Sequence, residues 1–347
     1  MNDSGNPYLN PDGSPSPRES VVVFLDLLGY SALLENSYVT NSQKPVLQRL
    51  QTAMRDAYEP IRAFPLHGDQ RAWKARTFTD NTILGFPLFL DRDAEAELAL
   101  ITGRVARFQF ELAKHGFLVR GAIAIGDFFM DANTVFGSAL LEAYRSERSN
   151  ARDPRIIMAP SAAERTKKHV KNYVNVAHSW QLNQLLYDVD GEIFLDYLEP
   201  GIMEFYNECG PDLESLVQHR TMIREKLREF RAAPRIWSKI AWVAHYHNFF
   251  CQRHHDQLPD DYTIDDEQLR LHPRFIYDPW TWLSNTVVPH GCAATRGWGG
   301  GPAFCFFHFG LLYRSDYARV ALALPKRTIK STASGLRRKA GIQIAPN

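Results

Sequence analysis

The chain has no apolar run near the ~20 residues that span a bilayer; residues 303–313 (AFCFFHFGLLY) come closest and are broken by His308 and Gly310. Net charge is also lacking. Forty basic residues against 39 acidic ones leave +1, so no global field draws the protein to a polyanion or a charged lipid surface. The four cysteines (Cys209, Cys251, Cys292, Cys305) show no CxxC spacing, and a cytoplasmic setting favours free thiols over disulfides. The start, MNDSGNPYLNPDGSPSPRES, has no apolar h-region and is rich in Pro, Gly and Ser. Residues 1–19 therefore read as a disordered leader on a cytoplasmic protein. No internal repeat is found.

What is present is an ordinary globular composition, 45% hydrophobic and 23% charged over 347 residues, enough for one large domain or two. Residues 21–25 (VVVFL) form a β-branched, apolar run suited to a strand buried on both faces. Asp26 interrupts this run and Gly29 turns the chain. Residues 77–86 read as a strand, a tight turn with Asp80 and Asn81, and a returning strand. If these strands are neighbours, Asp26 and Asp80 converge at one sheet edge. Converging carboxylates repel unless a proton or a divalent cation lies between them. Hard oxygen ligands with room for phosphate oxygens suit magnesium or manganese.

Helical spacing marks residues 31–35, 45–64 and 93–115, the last with Leu98, Ile101, Val105, Phe108 and Leu112 in one stripe. Residues 117–125 (FLVRGAIAI) read as a strand closed by Gly126-Asp127, 137–148 as a helix and 155–159 as a strand. A hairpin over 185–197 turns at Asp190-Gly191. The β-α-β-β-α-β order is that of ferredoxin-like sheets, and handedness places two helices on one face. We therefore expect an α+β core over 20–205 and two helices near 213–232 and 236–255 in an extension over 206–257. The segment 258–347 has no clear core pattern: DDYTIDDEQLR is acidic, ATRGWGGGPAF Gly-rich and KRTIKSTASGLRRK basic.

FxDxxGY at 24–30, the Asp80 hairpin and RGAIAIGDFFMDANTVFGSALLEAYR at 120–145 together resemble a class III nucleotidyl cyclase, over roughly residues 20–200. By that resemblance Asp26 and Asp80 hold two Mg²⁺ or Mn²⁺ ions. The backbone of Leu27, Leu28 and Gly29 approaches a triphosphate, and Arg145 offsets transition-state charge from the second protomer of a homodimer. Departures from the family matter too. Arg76 stands where purine cyclases carry a base-reading Lys or Glu, Thr134 where adenylate cyclases carry an aspartate, and Leu141 at the helper asparagine. These changes, with the GSALLEAYRSE helix and DPRII strand, resemble the pyrimidine cyclases of Pycsar anti-phage systems. That resemblance implies cyclic UMP or cyclic CMP, sensed by a separate effector protein. Arg76 offers only donors, which favours the carbonyl-rich uracil edge of UTP, although the O2 and N3 acceptors of CTP also fit.

Blander readings stand beside these. An aspartate after a strand serves as a turn former, an arginine on a helix as a solvated charge, and the whole fold as a non-catalytic dimerisation or nucleotide-sensing module. A purine cyclase and an unrelated metal-dependent phosphotransferase are further alternatives. His247, Cys251 and His255 recur at spacing four and could share a helix face. Without CxxC or HExxH they read as packing rather than zinc ligands. The basic stretch at 326–339 reads as a solvated tail without a nucleic-acid partner, and the glycines at 299–301 lack the Lys-Ser/Thr of a phosphate loop.

Overall fold

A computed structural model describes residues 5–62, 73–89, 94–174, 179–203 and 211–279. Cys209, Cys292, Cys305 and the features at 299–301, 303–313 and 326–339 lie outside them. β1 (Arg18–Leu27) is apolar on both faces because it lies mid-sheet between two layers. It pairs antiparallel with β3 (Asn81–Pro87) on one side and β4 (Val119–Met130) on the other. β2 (Lys74–Phe78) continues the sheet beyond β3. Beyond β4 come β6 (Ile156–Met158), β8 (Ile193–Leu195), β7 (Leu185–Asp188) and β9 (Ile276–Tyr277). Only β4 and β6 run parallel, and β5 (Val135–Phe136) folds back on β4. The fold is α+β around a mixed, mostly antiparallel sheet.

One face, with Val21, Val23, Leu25 and Leu27, is covered by α2 (Gln43–Arg62) and α3 (Glu95–Lys114). All five residues of the α3 stripe are buried there. α8 (Leu213–Glu229) and α9 (Pro234–Arg253) extend this layer, adding Leu216, Ile223, Trp242, Val243 and Phe250 to the same core. Pro234 opens α9, two residues before the expected start at 236, at the position where a missing N–H costs nothing. α9 is fastened to β7 by a hydrogen bond from Trp242 Nε1 to Asp188 (2.7 Å), and the buried Arg155 pairs with Asp188 and Asp190.

The opposite face, with Val22 and Phe24, is covered by α4 (Ser138–Asn150) and by the start of the chain. The leader expected to be disordered is held down by one aromatic. Tyr8 is fully buried, its ring edge-on to Phe128 at 5.4 Å and its hydroxyl donating to Ser20 Oγ at 3.1 Å. Composition does not reveal such a point anchor. β4 also outruns its expected end at Gly126-Asp127, because Gly126, Asp127 and Phe128 still pair with Ser20, Glu19 and Arg18. α1 (Tyr30–Val39) is longer than the 31–35 expected. The short α5 (Pro160–His169), α6 (Trp180–Gln184) and α7 (Glu199–Ile202) were not foreseen.

The histidine cluster is a buried relay rather than a metal site. His247 Nε2 faces the Tyr262 carbonyl (2.9 Å), so it must donate, and its Nδ1 must accept from His219 Nδ1 (3.0 Å). His219 Nε2 then accepts from the Tyr197 hydroxyl (2.9 Å). With every ring nitrogen used, none is left for a cation, and burial pushes the Cys251 thiol up to about 12. His255 is exposed, its Nδ1 set against the Gln252 carbonyl. Burial holds His247 down at about 4. The unfolded chain therefore binds more protons than the folded one between pH ~6.5 and 4. The relay's contribution is complete above that window and is lost on descending through it. His247→Gln should cost about 1–2 kcal/mol at pH 7.5, and the gap should close by pH 4.5 in urea unfolding. A gap independent of pH would refute the neutral relay. Asp196, whose pKa burial raises to about 6, titrates with opposite sign but is common to both proteins.

Candidate active site

β1 and the β2–β3 turn deliver the two carboxylates to one end of the sheet. Asp26 lies in register with Asn81 on one side and Arg120 on the other. One residue further, the Leu27 N–H donates to the Asp80 carbonyl at 2.8 Å. The turn is made by Thr79, which adopts a left-handed conformation (φ 54), and Asp80. Asp80 Oδ1 accepts from Thr79 Oγ1 (2.7 Å) and Asn81 Nδ2 (2.9 Å). Asp26 Oδ2 accepts from Arg120 Nε at 2.8 Å. The second oxygen of each carboxylate has no hydrogen bond among the described residues. These hard oxygens fit a magnesium- or manganese-type cation that takes its remaining ligands from phosphate and water. Among the described residues no group of three or more His, Cys, Asp or Glu side chains could hold a metal.

The backbone of the turn after Asp26 is tied to its neighbours. The N–H groups of Leu27 and Leu28 donate to the carbonyls of Asp80 (2.8 Å) and Leu118 (2.9 Å). Hydrogen-bonding capacity for an anion therefore moves to the start of α1, where first-turn N–H groups lack helical partners. Gly29 makes this possible. Its φ of 77 turns the strand into the helix, a conformation costly for a side chain even though the space around it is open.

Arg76 and Thr134, distant in sequence, meet through a residue that sequence reasoning missed. Arg76 Nη2 donates to the Asp131 carbonyl at 2.6 Å. Asp131 in turn closes the β4–β5 turn, its Oδ1 accepting from the N–H groups of Asn133 (2.8 Å) and Thr134 (2.6 Å). The Asp-x-Asn-Thr pattern carries the signature of such a turn. Arg76 pairs across to Ile83, and Ile83 to Phe24. Phe24 and Ile83 belong to the face that carries α4. A cavity of about 40 Å³, lined by Leu25, Leu27, Met54, Thr79, Asp80 and Phe108, has room for water rather than a nucleobase.

Arg145 is not brought to Asp26 within the chain. α4 turns Ala139, Ala143 and Glu147 inward at a spacing of four, which leaves Arg145 exposed on the far side. It makes no hydrogen bond or ion pair with the described residues. Leu141 and Tyr144 are also exposed on α4, and Phe136 just before it. Gly137 lets the helix approach the sheet, since a Cβ there would lie 2.2 Å from the Asp127 carbonyl oxygen.

Two further charged residues surround Asp26. Arg120 Nε lies 2.8 Å from Asp26 Oδ2 and also 2.8 Å from Glu147 Oε1. The hydrogen bond goes to Asp26, and Glu147 Oε1 is left without one. Glu147 is only 4% exposed, and burial raises its pKa. Burial lowers the pKa of Lys239 on α9, with Arg120 nearby adding to the effect. The signals were a lone arginine in an apolar strand and a glutamate in phase with Ala139 and Ala143.

No known family model matches this chain, and no curated protein does. Among solved structures, the adenylyl cyclase CyaB from P. aeruginosa is 12% identical with a TM-score of 0.36. The match covers 52% of this chain and 93% of that one. A class III adenylyl cyclase-like ATP-binding protein from Pseudomonas aeruginosa is also 12% identical, with a TM-score of 0.34. There the match covers 46% of this chain and only 37% of the other. No helix among the described residues is long and apolar enough to cross a membrane.

Proposed function

We propose that the protein is a homodimeric pyrimidine nucleotide cyclase that converts UTP to 3′,5′-cyclic UMP and pyrophosphate. The reading rests on the resemblance of its motifs to the class III cyclases. The observation that carries it is the meeting of Asp26 and Asp80 at one sheet end, clamped by the Leu27 N–H to Asp80 carbonyl bond of 2.8 Å. In the reaction the ribose 3′-oxygen bonds to the α-phosphorus, the bond to the β-phosphate breaks, and the hydroxyl proton leaves. Asp26 and Asp80 would hold divalent ions, which when bound would lower the pKa of that hydroxyl and neutralise the β- and γ-phosphates. The first turn of α1 binds phosphate oxygens. Arg76, anchored on Asp131, presents its remaining donors to the O4 and O2 edge of uracil. Arg145, unpaired among the described residues, offsets transition-state charge in the partner's site. The product serves as a second messenger for a separate effector in anti-phage defence, as the Pycsar resemblance implies.

The test is incubation of the protein with Mn²⁺ and ATP, GTP, CTP or UTP separately, with product masses read by chromatography. Cyclic UMP is expected to dominate. Cyclic CMP would reverse the reading of Arg76 alone, and a cyclic purine would remove the pyrimidine reading. No cyclic product from any nucleotide would favour a nucleotide-sensing module.

A further inference from the structure

Arg120 stands between two carboxylates, each 2.8 Å from its Nε, and that nitrogen has a single hydrogen to give. It gives it to Asp26. Glu147, on the inner face of α4, keeps a buried oxygen without a hydrogen bond directly beside the guanidinium. Buried carboxylate oxygens are normally bonded, so an unbonded one this close to a donor is an acceptor in waiting. Ala139 and Ala143, small and buried on the same helix face, let the helix carry Glu147 this close to β4.

We propose that Arg120 is an exchanging counter-ion. It holds Asp26 in place while no cation is bound, and passes to Glu147 when Asp26 takes a divalent cation. The inference rests on Asp26 being a metal ligand, as argued above. In the first state Asp26 is paired, and its fixed position pre-forms the site. In the second, Asp26 is neutralised by its cation and Arg120 would become a repelling neighbour if it stayed. Glu147 removes that repulsion by accepting the Nε–H. Besides burial, the charge of Asp26 disfavours the ionised form of Glu147. Neutralising Asp26 therefore strengthens the pair Glu147 makes with Arg120. Arg120 and Glu147 are positioning residues on this account and touch no substrate.

The experiment titrates the whole protein with Mn²⁺ alone and counts free ion by electron spin resonance. Glu147→Gln should weaken Mn²⁺ binding about tenfold, because Arg120 then has nowhere to go. The double variant Arg120→Gln/Glu147→Gln should recover to within about threefold of the parent, since the competing charge is gone. A merely structural role for Glu147 predicts no such rescue. Parental affinity in Glu147→Gln, or a double variant as weak as the single one, would overturn the exchange. Asp26→Asn separates the two levels. Unchanged Mn²⁺ binding there would discard the metal site itself and the exchange with it. Should the variants fold poorly, crystals of the parent grown with and without Mg²⁺ decide. Arg120 Nε should be bonded to Asp26 without the ion and to Glu147 with it. A guanidinium still on Asp26 beside a bound ion would overturn the proposal.

Discussion

Asp80→Ala is expected to lower formation of the cyclic product by about 10³-fold or more, equivalent to roughly 4 kcal/mol of transition-state stabilisation. Its melting temperature should stay within about 2 °C of the parent's. The contrast follows from where Asp80 sits. Among the described residues its carboxylate bonds only to the neighbouring Thr79 and Asn81, at the tip of a hairpin. Its structural contribution is the backbone carbonyl that receives the Leu27 N–H, which alanine retains. Residue 79, not 80, takes the left-handed conformation, so alanine meets no backbone strain. Product yield by mass and a thermal melt on the same preparation check both halves. Activity within tenfold of the parent in a protein that melts normally would mean that Asp80 does not serve the metal.

The parts of this architecture that were legible in sequence are those where one physical rule acts alone. β1 announces itself through residues 21–25, because the middle of a strand paired on both edges and covered on both faces must be apolar. α3 does so because its five stripe residues all point into one core. The convergence of Asp26 and Asp80 was legible once the hairpin and the first strand were taken as neighbours. The registry of Asp26 with Asn81 is that neighbourhood.

What was not legible depends on contacts made far along the chain. Tyr8 lies in a stretch of turn formers, and its burial follows from the place that Phe128 and Ser20 offer it. The acceptors of the Leu27 and Leu28 N–H groups, the carbonyls of Asp80 and Leu118, belong to other segments. Arg120 faces Asp26 across β1 and β4, a relation visible only with the register in hand. Glu147 lies in phase with Ala139 and Ala143, a helical period that marks a buried acid but was not read as such. Its partner could not be read without β4. α9 adds its apolar face to the core it shares with the sheet. Its Lys239 feels the charge of Arg120 and Asp26.

Arg145→Ala is expected to lower turnover by about 10²–10³-fold, the loss usual for one charge-stabilising donor. Mn²⁺ binding and the melting temperature should not change, because the side chain is exposed and makes no bond with the described residues. A surface arginine on a helix ordinarily contributes ~0–1 kcal/mol to stability and nothing to chemistry, so the size of the loss discriminates. Its origin in a second protomer can be isolated by giving two differently tagged chains one lesion each, Asp80→Ala in one and Arg145→Ala in the other. Each homodimer is inactive. In the heterodimer one site receives both lesions and the other neither, so it should regain about half of the parental activity per dimer. If Arg145 acted on its own chain's substrate, each site of the heterodimer would carry one lesion and no activity would return. The inward phase of Ala139, Ala143 and Glu147 is the reason to expect recovery. It turns Arg145 away from Asp26 on its own sheet, and leaves it free to reach the site of another copy.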